Sequence, residues 1–251
     1  MPMPRPILRR LAVALLGVLV AMAAHATETE DVLKKVANGE YAAIISKSTQ
    51  ALQSGQLGEA ERATVLSNRA KAYTALGHYA LALEDANAAI HLKPDLAEAY
   101  LQRTNASFLS SDLGKAAAQA SVADLTTAIR LKPDYEQAYR MRGYFYYLLE
   151  RTDEALTDYD SAIPVAPNSV AAYAARGAFF FSHQDHAKAT ADYNVALRLD
   201  PNDAFVYWLR GAGHEAAGHR EEAIVDYRKA LALDPDNGPA AVGLKNLGAD
   251  R

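Results

Sequence analysis

Small and large apolar residues recur along this chain at fixed places in a unit of 34 residues. In the unit 204–237, small residues stand at the eighth and twentieth places (Gly211 and Ala223) and large ones at the fourth and twenty-fourth (Tyr207 and Tyr227). Two antiparallel helices approach closely where small residues face each other, and large side chains fill the space on either side. Each unit therefore predicts a pair of helices joined by a turn.

Prolines mark the end of each predicted pair, at intervals of 39, 34, 34 and 34 residues: Pro94, Pro133, Pro167, Pro201 and Pro235. A proline lacks an amide donor and restrains the residue before it, so it stops the second helix. The longer interval holds five extra residues, which we expect within Ser110–Gln119, where they would lengthen the turn or start the second helix early. Thr104 replaces the small residue of the eighth place there, which predicts looser packing. Pro164 lies inside a predicted second helix and should kink it or end it early.

These positions taken together resemble the tetratricopeptide repeat, a helix–turn–helix of 34 residues. The resemblance implies an all-α fold, a right-handed α–α superhelix of about five full repeats with degenerate ends. In such a solenoid each repeat buries its apolar face only against its neighbours.

The resemblance covers residues 27–251, and its five full repeats are 63–96, 97–135, 136–169, 170–203 and 204–237. A degenerate unit, 29–62, has Tyr41, Ile44 and Ala51 in the second-helix places but no closing proline. A capping helix is expected over residues 238–251, where it would cover the last apolar face.

Residues 1–26 follow a different pattern. Arg5, Arg9 and Arg10 precede the apolar run Leu11–Ala24, and the small residue Ala26 follows. This order is typical of a secretory signal peptide, and the run is short for a membrane span. We expect cleavage after Ala26 and a periplasmic or secreted chain that is not inserted in a membrane. Retention of the segment as an uncleaved anchor is the alternative.

Charge and composition narrow the class of partner. Cleavage would remove three arginines and no acidic residue, leaving 23 basic and 30 acidic residues and a net charge of −7. An acidic chain without basic clusters disfavours nucleic acid and anionic membrane surfaces as partners. The chain has no cysteine, which excludes disulfides, thiol catalysis and thiolate metal sites. No cofactor is expected.

An arginine at the seventh place of each repeat recurs with an aspartate at the twenty-third. The five pairs are Arg69/Asp85, Arg103/Asp124, Arg142/Asp158, Arg176/Asp192 and Arg210/Asp226. Both places are equidistant from the turn, so folding the helix pair brings them to a similar height. We expect contacts within or between adjacent repeats that fix the helix register. The alternative is a solvated polar stripe, since exposed ion pairs contribute little.

The resemblance also implies a partner-binding groove lined by the first helix of each repeat. The residues expected there are Asn105, Phe108, Arg140, Tyr144, Tyr147, Phe181, Phe205 and Trp208. Aromatic residues and arginine are the side chains that most often anchor a partner. We expect an extended or helical peptide segment to bind there. The alternative for each aromatic residue is packing against a neighbouring helix.

Enzymatic features are sparse. His183 and His186 could share a helix face, but a metal needs further ligands and none is identifiable nearby in the sequence. There is no glycine-rich phosphate loop and no serine in a nucleophile-elbow setting. The expected function is therefore a non-enzymatic adaptor or scaffold of the bacterial cell envelope that binds an unidentified protein partner. A self-associating structural solenoid is the alternative, and an enzyme with an undetected site is a more distant one.

Overall fold

The computed structural model describes residues 28–110 and 114–249, with side chains from Asn38 onwards. These residues form twelve α-helices and no strand. The helices are α1 Glu28–Gln53, α2 Glu59–Ala75, α3 Tyr79–Leu92, α4 Ala97–Ser110, α5 Lys115–Leu131, α6 Glu136–Leu148, α7 Thr152–Val165, α8 Val170–Ser182, α9 His186–Leu199, α10 Ala204–Ala216, α11 Arg220–Leu233 and α12 Gly238–Asn246. The signal-peptide prediction for residues 1–26 lies outside the described residues. None of the described helices is long and apolar enough to cross a membrane.

The chain divides into two compact units, Asp31–Asp158 and one that contains Tyr159–Arg251. In the N-terminal unit, helices α2 to α6 pack one on the next, and α2 also contacts α4. In the C-terminal unit, α8 to α12 pack in the same consecutive manner, and α8 also contacts α10. This arrangement of consecutive helix pairs is an all-α tetratricopeptide-type solenoid.

Small residues form the contact between the two helices of each pair. In the N-terminal unit one buried cluster consists of alanines alone: Ala70, Ala82, Ala86 and Ala106. In the C-terminal unit the small residue Gly177 faces Tyr193, and an added Cβ at Gly177 would lie 2.6 Å from the Tyr193 ring. The glycine therefore leaves the space that the buried tyrosine fills.

In the four helix pairs whose turn is fully described, the turn contains one residue with a left-handed backbone. Its φ is 77° at Gly77 and 81° at Gly218, and the equivalent residues Glu150 and Gln184 take 62° and 65°. Glycine adopts this conformation without steric cost, whereas other L-residues lose about 1–2 kcal/mol. The turns at Glu150 and Gln184 therefore keep the left-handed geometry although neither residue type favours it.

Pro164 does not shorten its helix. Every second helix ends two residues before the proline that marks its repeat, and α7 ends at Val165, two residues before Pro167, like the others. Pro164 lies in the last turn of α7. At that position a proline removes only one hydrogen bond near the helix end, so the expected early termination does not occur.

The lengthened repeat distributes its extra residues over three places. Helix α4 has 14 residues where α6 has 13, and α5 has 17 where α7 has 14. The remaining extra residue falls in the turn between α4 and α5. Thr104 and Leu125 are 1% and 0% exposed, so this contact is closed to solvent although the eighth place holds a larger residue. A leucine at the twenty-fourth place, in place of the tyrosine found at Tyr193 and Tyr227, makes room for the larger Thr104.

The degenerate first unit is not a helix pair. Residues 28–53 form the single helix α1, without the turn that a repeat of this kind requires. Leu52 near its end packs on Ala63 and Leu66 of α2, where the second helix of a preceding repeat would lie.

Candidate partner-binding face

The groove residues predicted for the N-terminal unit divide into buried and half-exposed ones. Phe108 is half-buried, and its ring meets the rings of Tyr144 and Phe145 edge-on at centroid distances of 5.5 and 5.9 Å. Tyr144 is only 1% exposed, and burial raises the pKa of its phenol to about 12. Tyr144 is therefore a core residue rather than a groove residue, because the aromatic cluster around it covers its ring.

Arg140 is also less available than expected. Its Nε donates to Glu136 Oε1 at 3.1 Å, one turn earlier on the same helix, and its side chain is 12% exposed. The guanidinium is thus compensated by its own helix. Asn105 and Tyr147 are half-buried, which leaves part of each side chain at the surface.

In the C-terminal unit, Phe181 is another predicted groove residue that lies in the core. It is 7% exposed and belongs to the buried cluster that also contains Tyr193 and Leu209. The ring packs between neighbouring helices, since the twelfth place of α8 faces α9 and α10. Phe181 therefore stabilises the core and cannot present its ring to a partner.

Phe205 and Trp208 form a half-exposed aromatic pair on α10. Their ring centroids are 5.2 Å apart. Trp208 packs on two buried clusters, one formed with α8 and α9 and one formed by α11 and α12. The two rings pack against buried clusters on one side and remain partly exposed on the other, as anchor residues of protein interfaces do.

The same face of α10 continues beyond the aromatic pair. Phe205, Trp208, Ala212 and Glu215 are spaced three, four and three residues apart, so they form one stripe along the helix. Glu215 is fixed in place because Tyr227 Oη donates to its Oε2 at 2.6 Å. The stripe is therefore apolar and aromatic, with a single carboxylate at one end.

The structure brings all five arginine–aspartate pairs together within their own repeats. In each pair the arginine Nε and Nη2 donate to the two carboxylate oxygens at 2.5–2.9 Å. Four of the aspartates are at most 6% exposed: Asp85, Asp158, Asp192 and Asp226. A solvated stripe does not describe this arrangement. That the pairs fix the helix register stays a prediction.

The pair of the lengthened repeat is more open to solvent than the other four. Asp124 accepts both hydrogen bonds from Arg103, but its side chain is 15% exposed and that of Arg103 is 31% exposed. The eleventh place of this repeat holds Ser107, where the other repeats have an aromatic ring or a histidine, so a smaller side chain covers the pair. The expected contact is therefore made at Asp124, but solvent screens it more than it screens the buried pairs.

The third donor of each arginine makes a contact that the sequence reasoning missed. Its Nη1 reaches a polar oxygen on the preceding second helix or its equivalent, at 2.6–3.1 Å. The acceptors are Thr49, Asn87, Thr126, Asp160 and Asn194. Four of them stand at the twenty-fifth place of their repeat, so a polar residue recurring there was the signal available in the sequence.

An aromatic ring flanks each of these five guanidiniums. Arg69 lies over Tyr73 at 5.6 Å and Arg176 over Phe180 at 5.9 Å, both rings at the eleventh place. The last repeat has His214 at this place. Its Nε2 is 3.8 Å from Asp226 Oδ2, and burial is the main cause that lowers the pKa of the imidazole.

The two histidines considered as metal ligands engage different partners. His183 Nδ1 lies 2.8 Å from the Phe179 carbonyl oxygen, and the His186 ring packs against Phe181. Burial lowers the pKa of His186. Among the side chains of residues 38–110 and 114–249, no group of three or more histidines, aspartates or glutamates is arranged to hold a metal ion.

The paired helices, the small-to-large contacts between them and the repeated ion pairs define a helical repeat protein. Models of the tetratricopeptide repeat match residues 63–96 and 204–237, two of the five predicted repeats. Residues 63–96 and 204–237 are therefore tetratricopeptide repeats. No curated protein matches it in sequence.

Solved structures with the same fold are distant in sequence. TTC0263, a thermophilic TPR protein of Thermus thermophilus, is 20% identical with a TM-score of 0.62, over 74% of this chain and 98% of that one. YrrB, a TPR protein with an unusual peptide-binding site, is 20% identical with a TM-score of 0.55, over 79% and 97%. MamA is 20% identical with a TM-score of 0.54, over 68% and 91%. At these identities the likeness shows the fold alone.

Proposed function

We propose that the chain is a non-enzymatic interaction scaffold that binds a peptide or helical segment of another protein. The observation that carries this proposal is the stripe on α10. Phe205 and Trp208 are held by buried clusters yet keep exposed ring surface, and Ala212 leaves room beside them. A rigid, half-exposed aromatic pair costs little conformational entropy when it binds, which favours it as an anchor.

Half-exposed residues of the N-terminal unit extend the proposal to its own first helices. Phe108, Tyr147 and Asn105 keep part of their surface accessible on α4 and α6. The similar structure YrrB is described as having a peptide-binding site. That description supports a search for a peptide ligand here, although the sequence likeness is too low to transfer the site.

The proposed location is the bacterial cell envelope. Its support is the basic, apolar and small-residue order of residues 1–26, together with the net charge of −7 that cleavage would leave. Amino-terminal sequencing of the chain recovered from periplasmic and membrane fractions tests this. Recovery of a soluble chain that begins at Thr27 is the expected result, and a chain that keeps residues 1–26 in the membrane fraction contradicts it.

The binding site can be tested by substitutions in the α10 stripe, which includes Trp208, the only tryptophan of the chain. Purified protein is used to capture partners from an envelope extract, and captured partners are then titrated as fragments. Phe205→Ala with Trp208→Ala should abolish capture, and so should Ala212→Arg, which blocks the stripe without removing a core contact. Val225→Ala is the matched control, because Val225 is 66% exposed on the neighbouring helix α11.

Two results would contradict the proposal. Capture that survives both blocking variants would place the interaction elsewhere on the protein. Light scattering that shows a stable oligomer, disrupted by Ala212→Arg, would instead assign the stripe to self-association.

A further inference from the structure

A cleft between α1 and α2 lies where the first helix of a preceding repeat would pack. It is lined by Tyr41, Ile44, Lys47 and Ser48 from α1 and by Asn68, Lys71 and Ala72 from α2. Helix α1 takes the place of a second helix, because Arg69 Nη1 donates to Thr49 at 2.9 Å just as later arginines reach the preceding second helix. The unit that α1 represents has no first helix among the described residues.

The sixth place of each repeat shows where that first helix would pack. In the later repeats this place is buried: Gln102 is 7% exposed, Met141 1%, Ala175 2% and Leu209 2%. Leu209 shares its buried cluster with Ala174 and Phe181 of α8, the preceding first helix. The equivalent residue of the first repeat is Asn68, which is exposed. The cleft is therefore an open helix slot at the start of the full repeats.

The chemistry of the slot indicates what could fill it. Two ammonium groups, Lys47 and Lys71, line it together with polar Asn68 and Ser48, and none of its lining residues is acidic. Ion pairs of the described residues involve neither lysine. Ile44 adds an apolar contact, since it is 39% exposed. Two cations without an ion-pair partner among the described side chains, beside one aliphatic residue, suit an amphipathic helix with carboxylates on its binding face.

We propose that this slot binds an acidic amphipathic helix of a partner protein, which takes the place of the first helix that the unit of α1 lacks among the described residues. The inference rests on the proposed scaffold function and adds a second contact with its own specificity. A membrane surface fits less well, because anionic lipid recognition uses clusters of about four to eight basic residues. The apolar run Leu11–Ala24 of this chain carries no acidic residue to pair with the lysines.

The test uses a fluorescein-labelled peptide of glutamate, alanine and leucine, about 16 residues long so that it can form a helix when bound. Fluorescence anisotropy should show saturable binding that weakens as salt is raised, because exposed charges are screened. Lys47→Glu with Lys71→Glu should weaken binding by roughly tenfold or more. Lys229→Glu with Lys245→Glu is the control with the same change in net charge and should bind like the unaltered chain.

A second readout locates the peptide. Carbodiimide coupling should join peptide carboxylates to Lys47 or Lys71, identified by mass spectrometry, and a peptide with glutamine for glutamate should neither bind nor couple. Equal binding by the charge-reversed variant, or coupling spread evenly over all lysines, overturns the proposal. A dimer that the reversal dissociates would assign the slot to a second copy. Binding that requires removal of residues 1–26 would assign it to the chain's own leader, which also overturns the proposal.

The outcome for the slot is distinguishable from the outcome for the α10 stripe. Ala212→Arg leaves α1 and α2 unchanged, so the acidic peptide should still bind to that variant. If partner capture through the stripe fails while the peptide still binds at Lys47 and Lys71, only the proposed scaffold site is wrong.

Discussion

Gly177→Ala provides a direct test of how the helix pairs are held together. The Cβ that alanine adds would lie 2.6 Å from Tyr193 Cε1 and 2.9 Å from Cδ1, closer than carbon atoms can approach. Tyr193 is 0% exposed, so its ring cannot swing into solvent. The overlap must separate the two helices or force the ring off its rotamer, which costs about 1–3 kcal/mol.

Helix propensity opposes that cost. Alanine is more favourable than glycine inside a helix by about 1 kcal/mol. The net effect expected for Gly177→Ala is therefore a loss of about 0–2 kcal/mol in the free energy of unfolding, in place of the gain that propensity alone would give. Gly213→Ala is the matched control, because its added Cβ would meet nothing closer than 3.9 Å. It should stabilise the protein by about 0.5–1 kcal/mol from propensity alone.

Urea unfolding monitored by Trp208 fluorescence measures both variants, since the tryptophan lies in the same unit as the two glycines. Tyr193→Leu copies the Thr104/Leu125 combination of the lengthened repeat and should relieve the overlap. The double variant Gly177→Ala, Tyr193→Leu should then lose less stability than the two single changes added together, by about 1 kcal/mol. A Gly177→Ala protein stabilised as much as Gly213→Ala, or strict additivity in the double variant, would refute the packing argument.

Three further changes test the polar contacts. Tyr227→Phe removes the hydrogen bond to a carboxylate and should cost about 1–2 kcal/mol, whereas Tyr193→Phe should be neutral or stabilising because the buried Tyr193 hydroxyl has no partner; thermal unfolding compares them. Arg176→Ala leaves a buried aspartate unpaired and should lower the free energy of unfolding by about 2–4 kcal/mol. Arg151→Ala, in an exposed pair, should have no measurable effect on it, and equal effects of the two variants would contradict the difference in burial. Because burial lowers the pKa of His214 in the folded state, the unfolded chain binds more protons below about pH 6.5, and stability should fall as the pH drops through that range. His214→Phe, which restores the ring found in other repeats, should give a flatter profile between about pH 5 and about pH 7, and an unchanged slope would exclude His214 as its source.

The sequence was sufficient to predict the helix pairs because their determinants lie within one unit. Gly177 and Tyr193 belong to the same repeat, and so do Arg176 and Asp192, so a fixed spacing along the chain corresponds to a fixed contact in space. The one repeat that departs from the spacing is also understandable from its own residues. Thr104 is larger than glycine and Leu125 smaller than tyrosine, so the total volume between the helices is maintained.

The exposure of the groove residues could not be predicted in the same way. Tyr144 and Phe181 occupy places that the family pattern assigns to the groove, yet neighbouring rings and helices cover them. Whether a ring at such a place is covered depends on the size of residues in the adjacent repeat, which the period does not specify. The single helix α1 escaped prediction for a related reason. Its apolar residues fit second-helix places, and nothing in the pattern shows whether a turn precedes them.

Each arginine at the seventh place donates from its three guanidinium nitrogens in two directions, to the aspartate of its own repeat and to the helix that precedes the repeat. Because the repeating arginines and aspartates are paired in these contacts, their charges are not free to recognise a partner. The contact between the last repeat and α12 is made by different groups, because the twenty-fifth place of that repeat holds Arg228. Arg220 donates to the carbonyl of Leu247 and Arg228 to that of Ala249, just after the end of α12.

Recognition must therefore come from residues that do not repeat. Trp208 and Glu215 on α10, and Lys47 and Lys71 beside the open slot, occur at places where other repeats carry different residue types. None of these four side chains takes part in the arginine–aspartate contacts that join the repeats. Substituting the exposed residues Lys47 and Lys71 should change binding at the slot while leaving the helix pairs intact, whereas substituting a repeating residue should change stability first. This separation between the residues that build the array and the residues proposed to bind a partner is the reason the fold followed from the period and the proposed sites required the structure.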